Sequence, residues 1–142
     1  MQGSTNARRK VLIAEDYADM RAMTRIMVEA IGFDVIEASD GAEAIEQAKE
    51  NMPDAVLMDI AMPILNGITA ATMIHQLEGL EDVPIIALTA YGKEYVGNAG
   101  LYGFDAVIQK PIGIEDLKRV LEKQLDAEIV QGDRSGLGSR GH

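Results

Sequence analysis

Residues able to do chemistry follow the short apolar runs of this chain. Five of them stand within two residues of the end of such a run: Glu15, Asp16, Asp59, Thr89 and Lys110. Each acid taken alone is typical of a helix cap or a solvated loop. If the runs are strands of one parallel sheet, however, these side chains meet at one edge. Neighbouring carboxylates repel one another unless a cation is bound or their pKa values rise. The spacing therefore indicates either a metal site or strongly perturbed carboxyl groups.

The chemistry that such a cluster supports is phosphoryl transfer to a carboxylate. Oxygen-only ligands favour a hard cation, and a site completed by water and substrate oxygens suits Mg²⁺ better than a fully caged Ca²⁺. A carboxylate can attack phosphorus, and the protein then has mainly to position groups and stabilise charge. Asp59 is the best-placed nucleophile, and the Lys110 ammonium and Thr89 hydroxyl could contact phosphoryl oxygens. Without a phosphoryl group, we expect Lys110 to pair with the carboxylates.

The apolar runs themselves have the length and composition of β-strands. They alternate with stretches of helical period, a pattern typical of a parallel sheet covered by helices on both faces. The predicted strands are residues 11–14, 34–38, 55–58, 85–88 and 106–108. In such sheets ligands bind beyond the carboxyl ends of the strands, where the strand order reverses. This is the edge at which the five reactive residues are predicted to lie.

The first two helices are predicted from apolar residues that share a helical face. In the first helix this face consists of Met20, Met23, Met27 and Ile31, and we interpret the methionines as core residues. In the second it consists of Ala44, Ile45, Ala48 and Met52. Asp40 and Glu43 have the spacing of a capping box at the start of that second helix.

Three further helices are predicted in the second half of the chain. One runs from Gly67 to about Glu78 and buries Ile74 and Leu77. A short one is expected between Thr89 and Phe104, a stretch with four glycines, each of which costs about 1 kcal/mol within a helix. The last has one apolar face, made of Ile114, Leu117, Leu121 and Leu125.

Composition limits the possible classes of protein. A chain of 142 residues with 47% hydrophobic residues can fill one core. The absence of cysteine excludes disulfides and thiolate metal sites, and no apolar run approaches the roughly 20 residues that span a bilayer. A net charge of -10 argues against direct binding to nucleic acid or to a membrane. We therefore expect a soluble, cytoplasmic protein.

The two ends differ from the middle of the chain. Residues 1–9 are polar, and residues 127–142 include a glycine-rich stretch with little to bury. We predict flexible segments at both ends and one domain over residues 10–126.

Four motifs resemble the receiver domain of bacterial two-component response regulators, a family that includes the chemotaxis receivers. They are VLIAED at 11–16, LMDIAMP at 57–63 followed by Gly67, ALTA at 87–90, and QKP at 109–111. Each motif is weak alone, but together in this order they are specific, and the similarity covers about residues 10–125.

The resemblance implies a flavodoxin-like, doubly wound α/β fold with strand order 2-1-3-4-5. It implies that Asp59 is the phosphoacceptor, and that Glu15, Asp16, Asp59 and the backbone carbonyl of Ala61 bind Mg²⁺. It also implies that Thr89 is the switch hydroxyl, that Lys110 contacts the phosphoryl group, and that the peptide bond before Pro111 is cis.

The resemblance also implies a partner. The phosphoryl donor would be a phosphohistidine on a sensor histidine kinase or a histidine phosphotransfer protein, and the output an unidentified target protein. The chain would not be an enzyme beyond its own Mg²⁺-dependent phosphorylation and dephosphorylation.

One position departs from the family pattern. Receivers commonly carry an aromatic residue three positions before the lysine, where this chain has Val107. We therefore expect the conformational response at residues 91–102 and not at an aromatic side chain in the last strand.

Several alternatives stay open or are disfavoured by particular residues. The chain could be the receiver of a larger hybrid kinase or of an effector-bearing regulator. A receiver that is never phosphorylated is disfavoured by the complete set of site residues. A haloacid-dehalogenase-like phosphatase is disfavoured because Ala61 stands where that class has a second aspartate. A dinucleotide-binding protein is disfavoured because no Gly-x-Gly-x-x-Gly opens the first helix.

Overall fold

Five parallel strands form one sheet in the computed structural model, which describes residues 8–62, 65–90 and 103–133, with side chains to residue 126. The strands are β1 (Lys10–Ala14), β2 (Asp34–Ala38), β3 (Ala55–Asp59), β4 (Ile85–Thr89) and β5 (Ala106–Gln109). Their order is β2-β1-β3-β4-β5, as predicted. Because all strands are parallel, their carboxyl ends lie at one edge.

The last three strands each end one residue later than the apolar pattern predicts. Asp59 and Thr89 were expected just after their strands, but Asp59 pairs with Leu88 and Thr89 pairs with Gln109 in the parallel ladder. Backbone pairing continues past the point where the side chains become polar. Both residues are therefore held by the sheet itself and not by a loop.

Helices cover both faces of the sheet, which confirms the predicted doubly wound α/β architecture. Helix α1 (Ala18–Ile31) and the C-terminal helix (Ile114–Asp133) pack on one face, whereas α2 (Gly41–Asn51) and α3 (Gly67–Ile74) pack on the other. Alternate strand residues contribute to the two cores: Leu57 belongs to the first, and Val56 and Met58 belong to the second. The strands are apolar on both faces because neither face meets water.

Caps account for the starts of α2 and α3. The Asp40 carboxylate accepts a hydrogen bond from the Glu43 backbone at 2.7 Å, and the Asn66 side chain accepts one from the Thr69 backbone at 2.9 Å. Glu43 reaches back to the backbone of Ser39, one residue before the position expected for a capping box.

Two residues placed on predicted apolar helix faces are exposed. Met52 is 44% exposed and follows Asn51, the last residue of α2, and Ile114 is 43% exposed at the start of the C-terminal helix.

Two further predictions about the helices were wrong. The third helix ends at Ile74 and not near Glu78, because the chain tightens there: Leu77 donates to the Ile74 carbonyl, and Gly79 follows at φ 89°. Met23 was interpreted as a core residue but is 57% exposed, since α1 turns this position toward solvent.

Secondary structure and side-chain contacts reach into both predicted terminal segments. The C-terminal helix continues to Asp133, into the segment expected to be a flexible tail. Arg8 donates hydrogen bonds to the Gly32 and Phe33 carbonyls at 3.1 and 3.0 Å. The boundaries of the predicted domain at 10 and 126 stay a prediction.

Some expectations fall outside the described residues. These include the short helix and the response segment expected at residues 91–102, and most of both terminal segments. Within the described part of the chain, no helix combines the length and hydropathy needed to cross a membrane.

Candidate functional site: an acidic cluster at the strand ends

A cavity of about 420 Å³ opens at the carboxyl edge of the sheet. It lies beside β1 and β3, the neighbouring strands at which the strand order reverses. All six predicted site residues line it, together with three others that were not predicted to belong to the site. The lining residues are Glu15, Asp16, Tyr17, Met20, Asp59, Ala61, Thr89, Ala90 and Lys110.

Three carboxylates form the acidic side of this cavity. One oxygen from each of Glu15, Asp16 and Asp59 lies within 4.8 Å of the others. Glu15 and Asp59 are 2% and 4% exposed, whereas Asp16 faces solvent. The Asp59 Oδ1 atom accepts a hydrogen bond from the Ala61 backbone at 3.2 Å. Two of the three charges therefore sit where water can do little to screen them.

The Lys110 ammonium faces the two buried carboxylates. Its Nζ atom lies 3.1 Å from Glu15 Oε1 and 3.5 Å from Asp59 Oδ2. The Lys110 backbone donates to the Thr89 carbonyl at 2.7 Å, which ties the lysine to the end of β4, and the peptide bond to Pro111 is cis, as the resemblance implied. Burial lowers the pKa of Lys110, but the bond to Glu15 and the charge of Asp59 outweigh it, so the pKa is raised. The expected pairing of Lys110 with the carboxylates is confirmed.

Asp59 is the most perturbed of the carboxyl groups. Burial, followed by the neighbouring Glu15, raises the pKa of Asp59 to about 7, although Lys110 and the Ala61 amide act in the opposite direction. Lys110 therefore offsets only part of the negative charge in the cluster. Such a site favours either a proton on Asp59 or a cation.

The chemistry of the donor set fits a hard divalent cation. The converging donors are carboxylate oxygens, with no sulfur or imidazole among the described residues of the cluster. The open side of the cavity leaves room for water or for the oxygens of a second ligand. A metal bound here would offset the charge that raises the pKa of Asp59.

A glycine shapes the chain that leaves Asp59. Gly67 donates to the Ile60 carbonyl at 3.0 Å, and a Cβ added to Gly67 would lie 2.3 Å from the Asp59 carbonyl oxygen. The start of α3 thus packs directly on the backbone of the predicted phosphoacceptor.

Sequence reasoning missed four residues at or beside the cavity. Tyr17, Met20 and Ala90 line it, and Arg21 donates a hydrogen bond to the Glu15 carbonyl oxygen at 2.9 Å. Tyr17 and Ala90 adjoin predicted site residues, and this adjacency was an available signal. Arg21 binds a backbone atom, for which the sequence has no signature.

The fold and the cluster together define a class: flavodoxin-like α/β proteins with an acidic, cation-fitting site at the strand ends. Comparison with known proteins identifies the family within this class. The family model of the response regulator receiver domain matches residues 11–122. This match covers most of the chain, and the chain belongs to the receiver domain family of two-component response regulators.

Individual relatives agree with this assignment. The transcriptional regulatory protein PdtaR of Mycobacterium tuberculosis is 39% identical over 116 residues, which cover 80% of this chain and 55% of that protein. The polar-differentiation response regulator DivK of Brucella ovis is 35% identical over 109 residues, which cover 75% of this chain and 87% of that protein. The chain spans about half the length of the mycobacterial transcriptional regulators that it matches.

A solved structure shares the fold of this chain. The receiver domain of the sensor histidine kinase PA1611 from Pseudomonas aeruginosa is 30% identical, with a TM-score of 0.76. The match covers 84% of this chain and 99% of that one, and that structure holds a magnesium ion coordinated in its active-site cleft.

Proposed function

We propose that this protein is a phosphorylatable signalling switch in which Asp59 accepts a phosphoryl group in a Mg²⁺-dependent reaction. The observation that carries the proposal is the position of Asp59. It ends the central strand, is 4% exposed, and lies within one cluster with Glu15 and Asp16 and opposite the Lys110 ammonium. A carboxylate whose charge is only partly offset at that place is suited to bind a cation and then a phosphoryl group.

In the proposed transfer step, a phosphohistidine donates the phosphoryl group to Asp59. A bond forms between an Asp59 carboxylate oxygen and phosphorus, and the phosphorus–nitrogen bond of the donor breaks. The electron pair leaves with the imidazole, which takes up a proton from solvent. The donor would be a sensor histidine kinase or a histidine phosphotransfer protein.

The chain's own residues position the reactants and stabilise charge. Glu15, Asp16 and Asp59, with the Ala61 carbonyl, would hold Mg²⁺, which supplies positive charge to offset the phosphoryl oxygens. The Lys110 ammonium, held between Glu15 and Asp59 at 3.1 and 3.5 Å, would shift toward the new phosphoryl group. The Thr89 hydroxyl, at the end of β4, would donate to another phosphoryl oxygen.

The output of this switch is a change in protein contacts. The net charge of -10 disfavours direct contact with nucleic acid or an anionic membrane, so the partners would be proteins of the cytoplasm. Apart from its own phosphorylation and dephosphorylation, the chain would catalyse no reaction. The same role applies whether the receiver acts alone or within a larger kinase or regulator.

Intact-mass measurement after incubation with a small acyl or amido phosphate tests the proposal. We expect one phosphoryl adduct that requires Mg²⁺ and is removed by hydroxylamine, and no adduct on Asp59→Asn. A matched control is Asp54→Asn, because Asp54 stands before the opposite end of β3 and accepts a bond from the Lys10 backbone. The control should be labelled like wild type.

Two results would contradict the proposal. A hydroxylamine-labile adduct at wild-type level on Asp59→Asn would remove Asp59 as the acceptor. If labelling proceeds at the same rate after the divalent cations have been chelated, the reaction does not need a metal.

A further inference from the structure

Arg21 connects the acidic cluster to the edge of the sheet. It lies in the first turn of α1, with its side chain only 21% exposed. Its Nη1 atom donates to the Glu15 carbonyl oxygen at 2.9 Å, and its Nε atom donates to Glu37 Oε1 on β2 at 2.8 Å. A guanidinium group can make both bonds at once because its donors form a rigid planar fork.

The bond to Glu15 completes the set of partners around that residue. The Glu15 backbone N–H donates to the Ala38 carbonyl at 3.0 Å. Its carboxylate oxygens meet Lys110 Nζ at 3.1 Å and the Tyr17 backbone N–H at 3.3 Å. Arg21 binds the remaining polar atom, the carbonyl oxygen.

That carbonyl belongs to the peptide unit that joins Glu15 to Asp16. Glu15 is buried, but Asp16 is exposed, so packing constrains the second acid of the pair much less than the first. The orientation of the shared peptide therefore decides where the Asp16 carboxylate points. The Arg21 bond is a direct restraint on this orientation.

We propose that Arg21 is a positioning residue that sets the affinity of the cluster for Mg²⁺ by holding the Glu15–Asp16 peptide in place. This inference rests on the proposed function, since it assumes that the carboxylates bind the metal. Arg21 itself contacts neither the metal-binding oxygens nor the phosphoacceptor. It acts on them through the main chain.

Charge and positioning predict opposite effects, and this makes the role testable. Removing a positive charge close to the cluster should strengthen cation binding if Arg21 acted only through its charge. Removing a bond that orients Asp16 should weaken it. Outer hydrogen-bond partners of metal ligands typically contribute roughly 10- to 100-fold in affinity.

The experiment compares Arg21→Met with Arg25→Met by calorimetric titration of Mg²⁺. Arg25 is the matched control because it lies one turn along α1 and pairs with Glu29 and with the same Glu37, but does not contact Glu15. We expect the dissociation constant of Arg21→Met to rise by roughly tenfold, and that of Arg25→Met to stay within about twofold.

A second measurement works on the metal-free protein. Hydrogen exchange at the Tyr17 amide, which donates to the Glu15 carboxylate, should accelerate in Arg21→Met and not in Arg25→Met. Arg21→Lys retains the charge but not the fork, so it should also weaken Mg²⁺ binding. If Arg21→Met does not fold, this variant carries the test.

The outcomes separate the two proposals. If wild type binds no Mg²⁺, the proposed function fails. If wild type binds Mg²⁺ and both Arg21 variants bind it equally well or more tightly, the positioning role of Arg21 is overturned while the proposed function stands.

Discussion

Glu15 and Asp59 bring two negative charges into a site that is nearly closed to solvent, and Lys110 pairs with both. A buried ion pair of this kind contributes little net stability, because the cost of desolvation offsets most of the attraction. The cluster is therefore better suited to binding a cation than to stabilising the fold. Without a bound metal, the cluster should lower the stability of the folded protein measurably.

The raised pKa of Asp59 determines how this loss of stability depends on pH. A folded-state pKa of about 7, against 3.8 for the ordinary group, means that the folded chain holds the proton more tightly than the unfolded chain. This contribution to stability is fully present below about pH 4 and is lost as the pH rises through 7. Above that pH the ionised Asp59 repels Glu15.

We predict that Asp59→Asn stabilises the metal-free protein at pH 8. An amide keeps an acceptor for the Ala61 backbone and removes the charge, and one pKa unit corresponds to about 1.4 kcal/mol. Urea unfolding in EDTA should show a gain of at least about 1 kcal/mol at pH 8 and a smaller gain at pH 5. An equal difference at both pH values would contradict the raised pKa.

At the scale of elements, the start of α3 packs closely against the end of β3. A Cβ on Gly67 would meet the Asp59 carbonyl oxygen at 2.3 Å and the Ile60 Cα atom at 2.9 Å. Both are backbone atoms, which cannot rotate away as a side chain can. Any larger residue must therefore push α3 away from Asp59.

We predict that Gly67→Ala destabilises the protein by about 1–3 kcal/mol, as overpacking usually does, and slows labelling of Asp59. Gly113→Ala is the control, because a Cβ there meets nothing within 4 Å and Gly113 has no positive φ. Its effect should be below about 1 kcal/mol. Thermal unfolding and intact-mass labelling of both variants would check this, and equal effects at the two positions would refute it.

The sequence predicted some features of the strands and missed others. Strand positions followed from runs such as Val11 to Ala14, since a strand buried on both faces has to be apolar throughout. The strand order and the residue roles came from the resemblance. The last residues of β3 and β4 were missed, because polar side chains end the apolar run before backbone pairing ends.

Other features left no pattern in the sequence. Met23 has the spacing of a core residue, but a helix packed on a sheet buries only part of its apolar stripe. The Arg21 bond joins a side chain to a backbone carbonyl, and the Arg21–Glu37 pair joins residues on different elements. Such contacts depend on three-dimensional placement, which one sequence does not display.

At the scale of the whole molecule, the C-terminal helix closes one of the two cores. Leu117, Leu121 and Leu125 are all at most 2% exposed and pack on the face that α1 also covers. Among the residues whose side chains are described, Leu125 is the last buried one. The domain boundary predicted at residue 126 follows this leucine directly.

We predict that a chain ending after Asp126 keeps the stability of the full chain to within about 1 kcal/mol, since it loses no described core residue. A chain ending after Val120 loses two buried leucines, each worth about 2–5 kcal/mol, and should not fold stably. Circular dichroism with thermal unfolding would separate the two. Loss of folding in the longer of these two chains would place the boundary beyond residue 126.

The ion pair between Lys110 and Glu15 joins residues 95 positions apart in the sequence. It spans from β1, second in the sheet, to the end of the edge strand β5. Long-range closure of this kind comes late in folding, because the loops between the strands must first be ordered. During synthesis, a nascent chain with its first four strands outside the ribosome would still lack the cationic half of its site. The phosphorylation proposed above would thus begin only once the whole domain has been made.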